Sequence, residues 1–299
     1  TRPSDLIHIL DDEQISIHAL LYNKNIVSAA IISHEGGLDR TLASAIYRGE
    51  RRPNGHLVPQ IILSQMGLAE AAVLKTDRIM RIATHQVYRR QQLASKLLDN
   101  IALQSQADYL SSSFGLSEDL LTFWNNAGYK PAYLGVKREA SSGYHSAVML
   151  KSLSEQGKIL EKAAMKSFAR SFVAQLGDAL KEYNPELAYQ LLLCTNQNKT
   201  SLSQQEINDI NRFACGQCGL DSALAALQRW LPKALLHDKL KNKNEIRLLV
   251  MRILQHKSWT DCCEVSGIAG KQIAQQTLQQ TVSVLAKQLP KSDLSKDGL

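Results

Sequence analysis

Runs with the alternation of β-strands end near residue 152, and the periodic stretches beyond that point have the three- and four-residue spacing of helices. One sheet therefore has to be assembled from the first half alone. The second half can bury apolar surface only by packing helix on helix. With 299 residues the chain has room for both bodies. The expected organisation is an α/β domain over residues 1–152 and an all-α domain over residues 153–299.

Residues 15–21 and 26–32 are rich in apolar and β-branched side chains and are separated by Tyr22-Asn23-Lys24-Asn25, a hairpin pattern. Helical patterns at 38–49 and 57–66 flank the punctuated stretch Arg51-Arg52-Pro53-Asn54-Gly55, giving a helical insertion on the sheet. A strand is expected at 78–84. A helix follows at 90–106, with Leu93, Leu97, Leu98, Ile101 and Ala102 on one face. After a strand at 109–114, Ser117 caps a helix that Gly128 ends, and strands at 133–137 and 145–150 close a mixed α/β sheet. In the second half Phe168, Phe172, Leu176 and Leu180 recur every four residues. Asn184-Pro185 opens a helix, Ser203 with Glu206 forms a capping box, and further helices are expected at 221–231, 244–256 and 270–289.

Charge divides the chain in the same way. Residues 1–150 hold 15 Lys and Arg against 14 Asp and Glu, whereas residues 151–299 hold 20 against 14. Eight of the later cations lie between Arg229 and Lys257, against Asp238 and Glu245 alone. A surface of that kind suits phosphates, and Lys239, Lys241, Lys243 and Arg247 are its candidate RNA contacts; the other reading is a solvated face of helices. Trp230 and Trp259 border the run and fit either base stacking or a helical core.

Five cysteines without a repeating spacing make no disulfide framework, so a reducing cytoplasm is the expected compartment. Cys215-x-x-Cys218 has half of a zinc pattern and no second pair at ligand spacing, and no metal is expected. The apolar stretches are too short for a membrane span, and no signal-peptide pattern opens the chain. A first residue Thr1 fits a processed product or a piece of a longer protein.

The chemistry concentrates where the strand at 78–84 reaches His85 and leads through Tyr88-Arg89-Arg90-Gln91-Gln92-Leu93-Ala94-Ser95 into a helix. A strand-to-helix turn aims backbone N–H groups and the positive end of a helix dipole at one point, which suits a pyrophosphate. Arginines there add charge-assisted bonds. Such turns occur in many α/β proteins, and by itself this one is also consistent with a purely structural connection.

Arg89-Arg90-Gln91-Gln92-Leu93-Ala94 resembles the acetyl-CoA signature of the GNAT acetyltransferases, Gln/Arg-x-x-Gly-x-Gly/Ala, with Gln92 in place of the middle glycine. Four ordered stretches resemble the tRNA(Met) cytidine acetyltransferase family. They are Arg51-Arg52-Pro53-x-Gly55-x-Leu57-Val58-x-Gln60, Arg81-Ile82-Ala83-Thr84-His85, Ser113-Phe114-Gly115 with Leu120-x-x-Phe123-Trp124-x-x-x-Gly128-Tyr129, and Arg138-Glu139-Ala140-Ser141-Ser142-Gly143 running to Met149-Leu150.

This resemblance implies a GNAT-type mixed sheet and acetylation of the exocyclic N4 of the wobble cytidine of elongator tRNA(Met), with acetyl-CoA as cofactor and tRNA(Met) as partner. It implies backbone contacts from Ile82, Ala83 and Thr84 to the pantetheine arm, and a pyrophosphate cradle from Arg89, Arg90, Gln91, Gln92, Leu93, Ala94 and Ser95. Asp119 is expected near the cofactor and His85 as the general base, histidine being the side chain that ordinarily titrates near neutrality. Phe123 and Trp124 occupy positions where many GNAT enzymes carry a tyrosine acid. An ATPase/helicase-like module goes with the family, in cis or in trans. This sequence holds no Gly-x-x-x-x-Gly-Lys-Ser/Thr loop, so ATP is expected to act only through a module outside it. Two other readings stay open: a GNAT enzyme with a protein or small-molecule acceptor, and a non-catalytic tRNA-binding module whose cofactor turn, marked by Gln92, has decayed.

Overall fold

The computed structural model describes residues 9, 11–140, 142–195, 201–237, 240 and 242–289. The chain divides into two compact units, Thr1–Phe168 and Ala169–Leu299.

Unit 1 is built on a six-stranded sheet. β1 (Ile15–Tyr22) and β2 (Asn25–Gly36) form the hairpin expected from their composition. Asn23 and Lys24, its two turn residues, both adopt left-handed conformations (φ 49° and 65°), the turn geometry whose twist matches that of the flanking strands. The helical insertion comprises α1 (Arg40–Tyr47), α2 (Leu57–Met66) and α3 (Glu70–Val73). A four-residue helix such as α3 is too short to show a period in sequence. Then come β3 (Lys75–Thr84), a 3₁₀ turn (Gln86–Tyr88), α4 (Leu93–Gln104), β4 (Tyr109–Gly115), α5 (Glu118–Asn126), β5 (Lys130–Arg138) and β6 (His145–Ser152). The strand order is β1-β2-β3-β4-β6-β5, and the one parallel pairing, β3 with β4, lies at its centre.

Buried polar groups fasten the insertion to the sheet. Glu35, 3% exposed near the end of β2, accepts from Arg78 Nε of β3 at 2.5 Å and from the Val58 N–H at the start of α2 at 3.1 Å. Gln60 holds the preceding loop by donating to the carbonyls of Pro53 (2.9 Å) and Gly55 (2.7 Å). The Arg-Arg-Pro-x-Gly stretch is thus a pinned loop with a structural reason for its glutamine.

Asp108 plays the corresponding part at the bottom of the sheet. Its carboxylate accepts from the Lys75 N–H and from Ser154 Oγ, and its carbonyl accepts from the N–H groups of Leu153 and Ser154. α6 (Glu155–Leu176) leaves from this point so close to Asp108 that a Cβ on Gly157 would sit 2.0 Å from the Asp108 carbonyl oxygen. Leu160 and Ala164 from its early turns join Val58, Ile62, Tyr109 and Val148 in a core cluster. The division between the units falls further along this helix.

Unit 2 is helical throughout its described residues: α7 (Pro185–Cys194), α8 (Gln204–Ala214), α9 (Leu220–His237), α10 (Lys243–Leu248), a π-helical segment (Leu249–Leu254), α11 (Trp259–Ser266) and α12 (Lys271–Leu285), ending in a 3₁₀ turn (Ala286–Gln288). Asn184 caps α7 with Pro185 in its first turn, and Ser203 and Glu206 form the expected capping box on α8. A second box, Ser258 with Asp261, starts α11. The single helix expected at 244–256 is instead α10 followed by the π segment. Leu249, Val250, Met251, Ile253 and Leu254 are all buried there, and the carbonyl of Ile253 accepts from Gln228 Nε2 of α9 at 2.9 Å. That tertiary hydrogen bond supplies a partner outside the local helix repeat.

Candidate active site

The parallel ladder between β3 and β4 has only four pairs, from Thr76–Tyr109 to Ile79–Ser112. Ser112 Oγ closes it by donating to the Ile79 carbonyl at 3.1 Å. Beyond that point the strands separate. A bulge lets Ile31 and Ile32 of β2 pair with Arg81 and Ile79, so that Met80 has no partner. An extra residue of this kind bends its strand and strengthens the local twist. The rest of β3 stays with β2, and Ser113–Gly115 of β4 stays with β6. The result is a fork in the middle of the sheet.

Alternation along β3 decides which backbone groups face that fork. The His85 N–H donates to the Val27 carbonyl (2.9 Å), and the Ala83 carbonyl accepts from Ser28 Oγ (3.0 Å), so His85 and Ala83 turn their backbone toward β2. Ile82 and Thr84 consequently turn theirs the other way, into the fork. Of the three expected backbone contacts, Ile82 and Thr84 thus face the fork and Ala83 faces β2. The Thr84 carbonyl accepts from Arg89 Nε at 3.4 Å, which ties the following turn to the strand end.

That turn has two left-handed residues, Arg90 and Gln92, each with φ of 60°. The helix therefore begins at Leu93, three residues later than its periodicity indicates. No side chain caps it, and its first intrahelical acceptor, the Gln92 carbonyl, serves Lys96. The N–H groups of Leu93, Ala94 and Ser95 are left facing outward with the positive end of the helix dipole behind them. Arg89, Arg90, Gln91 and Gln92 are exposed around them. From 78 to 98 the sequence has five Lys and Arg and no carboxylate. Gln92 occupies the left-handed position where the signature has glycine, so the turn keeps the backbone shape that a glycine would permit.

His85 is exposed at the strand end, and its ring lies 5.8 Å from that of Tyr88. Asp119 is exposed in the first turn of α5. Trp124 is buried in an aromatic cluster, stacked on Phe114 (5.5 Å) and edge-on to Phe123 and Tyr129. The positions where a tyrosine acid would stand have become packing. Sequence reasoning did not find Ser28, Ser112 or Glu35, which shape the fork and its surroundings from a distance in sequence and carry no local pattern.

The basic run of unit 2 is partly consumed within the fold. Arg229 pairs with Glu206 (2.5 Å), Arg247 with Glu186 (2.7 Å), and Lys257 with Glu182. Arg247 also donates to the Val265 carbonyl, so this expected RNA contact has a structural task. Arg252 lies over the Trp259 ring at 4.9 Å, and Trp230 is buried. Lys243 is exposed at the start of α10. Lys239, Lys241 and Ser141 lie outside the described residues.

A cavity of about 510 Å³ opens at the other end of β3, beside Lys75, Thr76 and Asp77. Asp77 accepts there from Ser105 Oγ and lies 2.6 Å from His34 Nδ1. It is separate from the fork. Among the described residues no cluster of His, Cys, Asp or Glu has metal-binding geometry, and no helix is long and apolar enough to cross a membrane.

A mixed sheet forked at its parallel pair, with an arginine-bearing helix start tied to the end of β3, gives unit 1 the α/β architecture of a GNAT-type acetyltransferase domain. Residues 2–104 and 102–154 match the family described as GNAT acetyltransferase 2, and the chain belongs to that family. It is similar to the tRNA(Met) cytidine acetyltransferase TmcA of Nitrosococcus halophilus, with 34% identity covering 95% of this chain and 39% of the relative. The enzyme of the same name from Vibrio cholerae is also 34% identical over 95% of this chain and 39% of its own length. That from Haloarcula marismortui is 29% identical, covering 96% and 38%. The chain thus spans about two fifths of the length of these relatives.

Proposed function

We propose that this chain carries the acetyl-transfer part of an RNA cytidine acetyltransferase and moves an acetyl group from acetyl-CoA to N4 of the wobble cytidine of elongator tRNA(Met). The fork in the sheet, with free helix N–H groups at its mouth, is the observation that carries this reading, because it offers an extended amide-bearing arm and a pyrophosphate two adjoining places. The named relatives support the acceptor. Bound acetyl-CoA supplies an activated thioester carbonyl.

Backbone groups of Ile82 and Thr84 hold the pantetheine arm as a neighbouring strand would, and their fixed dipoles polarise the thioester. Arg89 and Arg90, with the N–H groups of Gln91 to Ser95, cradle the pyrophosphate. Asp119 borders the same cofactor from α5. The cytosine amine is a weak nucleophile because its lone pair is delocalised into the ring, and it becomes acidic only after attack. Placement therefore dominates, and the base acts late. His85 takes the N4 proton after the carbon–nitrogen bond has formed, as the carbon–sulfur bond breaks and coenzyme A leaves as its thiolate. Lys243, with Lys239 and Lys241, contacts RNA phosphates, and an ATPase/helicase-like module works with the chain in the cytoplasm.

Replacing His85 by Ala is expected to lower turnover by 10²-fold or more, a usual contribution of general acid–base catalysis, with acetyl-CoA affinity unchanged. Mass spectrometry of tRNA(Met) together with calorimetry reads both. Unchanged turnover at saturating substrate removes His85 from the mechanism. No heat from acetyl-CoA with the wild-type chain removes the enzyme reading altogether.

A further inference from the structure

An exposed apolar patch covers the tip of the β1–β2 hairpin. Leu21 and Tyr22 are 65% and 59% exposed, and Ile26, the register partner of Leu21, is 61% exposed. Tyr22 meets Tyr88 edge-on with ring centroids 6.2 Å apart, and Tyr88 in turn lies 5.8 Å from His85. Val87, next to Tyr88, is 74% exposed. The patch therefore runs from the hairpin tip to the histidine at the mouth of the fork.

Its electrostatic setting is one-sided. Residues 14–34, which contain the hairpin, hold no Asp or Glu, and neither do residues 78–98. Lys24 stands in the hairpin turn, and Arg89 and Arg90 follow Tyr88. An exposed tyrosine, Tyr22, against the half-buried Tyr88, on two segments that carry cations and no carboxylate, suits a polyanion whose flat rings stack and whose phosphates are neutralised.

We infer that Tyr22 and Tyr88 form a stacking platform for a nucleobase of the acceptor RNA, beside the general base. The inference rests on the proposed acceptor and on the role given to His85. A base whose exocyclic amine comes within hydrogen-bond reach of His85 has its ring close to Tyr88, because the two side chains are neighbours. Tyr22 extends the platform to the exposed hairpin tip, where a base unstacked from a loop can reach it. The surface adds an RNA contact in unit 1 to the lysines of unit 2, and it reads a base where those lysines read phosphate.

The test uses the full chain with Tyr22→Ala and Tyr22→Trp, both at an exposed position. Binding of an unmodified elongator tRNA(Met) transcript and of oligocytidylate is measured by fluorescence anisotropy, and acetyl-CoA binding by calorimetry. Tyr22→Ala is expected to weaken both RNAs roughly 5- to 100-fold, the range for loss of one stacked base, while Tyr22→Trp retains binding and neither variant changes acetyl-CoA affinity. RNA binding by Tyr22→Ala equal to wild type overturns the platform and leaves the proposed function standing. Weakened acetyl-CoA binding with RNA binding intact also overturns it, assigning the rings to the adenine of the cofactor. A wild-type chain that binds acetyl-CoA and neither RNA overturns the acceptor reading and the platform together.

Discussion

Gln92 keeps the shape of a glycine without being one. Its φ of 60° lies in a region that costs an ordinary residue about 1–2 kcal/mol, and Arg90 two residues earlier carries the same strain. The usual interpretation of such strain is that the surroundings enforce it for a purpose. Gln92→Gly removes the Cβ conflict and loosens the unfolded chain, two effects of opposite sign, so the net gain in stability is expected to be up to about 1 kcal/mol. The same change clears space above the helix start. Denaturant unfolding and acetyl-CoA calorimetry on Gln92→Gly should show equal or higher stability with tighter binding; weaker binding would mean that the glutamine side chain itself contacts the cofactor. The substituted position could be read from the sequence, but its conformation could not, because glutamine has no preference for the left-handed region.

Among the elements, β2 carries the burden of joining. Glu35 is the point at which β2, β3 and α2 share one carboxylate, and the Arg78–Glu35 pair has side chains only 13% and 1% exposed. Removing one partner of a buried pair leaves the other without compensation, so Glu35→Ala is expected to cost about 3–5 kcal/mol, checked by the urea midpoint. A loss below 1 kcal/mol would show that water reaches Arg78. The hairpin, the caps at Ser117, Asn184 and Ser203, and the helix ended by Gly128 were all legible because each depends on residues within a few positions of one another. The fork was not. It depends on a bulge at Met80, a residue without any turn signature, and on Ser112 meeting Ile79 across 33 positions. The π segment has no local signature for a similar reason, since its Ile253 carbonyl is bonded by a side chain 25 positions away.

Across the whole molecule, buried acids that stay protonated set a limit on the alkaline side. Burial pushes the Cys262 thiol up to about 11, and burial, reinforced by Glu35 for Tyr109 and by Asp99 for Tyr129, raises both phenols above their ordinary value. In each case the folded chain holds its proton at a pH where the unfolded chain releases it, so stability is complete below the unfolded pKa values and falls as pH rises past them. The urea midpoint is expected to fall as pH rises from about 9 toward about 11, first through Cys262 and then through the tyrosines. A flat profile would mean that these groups are solvated. Charge counting located the basic run of unit 2, but the sequence did not show that Arg229, Arg247 and Lys257 are committed to Glu206, Glu186 and Glu182, because those carboxylates lie 23, 61 and 75 positions away.

The fork gives a sheet whose central ladder is unfinished, and its consequence can be followed by isotope exchange. Without a neighbour, the Ile82 and Thr84 amides are expected to exchange with deuterated solvent far faster than Arg81 and Ala83, which face β2. An extended amide chain seated between the branches would protect those two positions selectively, and at 100 times its dissociation constant it would add about 2.7 kcal/mol to the unfolding free energy. In that sense acetyl-CoA would serve unit 1 as a removable strand, and the fold would be most resistant to unfolding when it is ready to react.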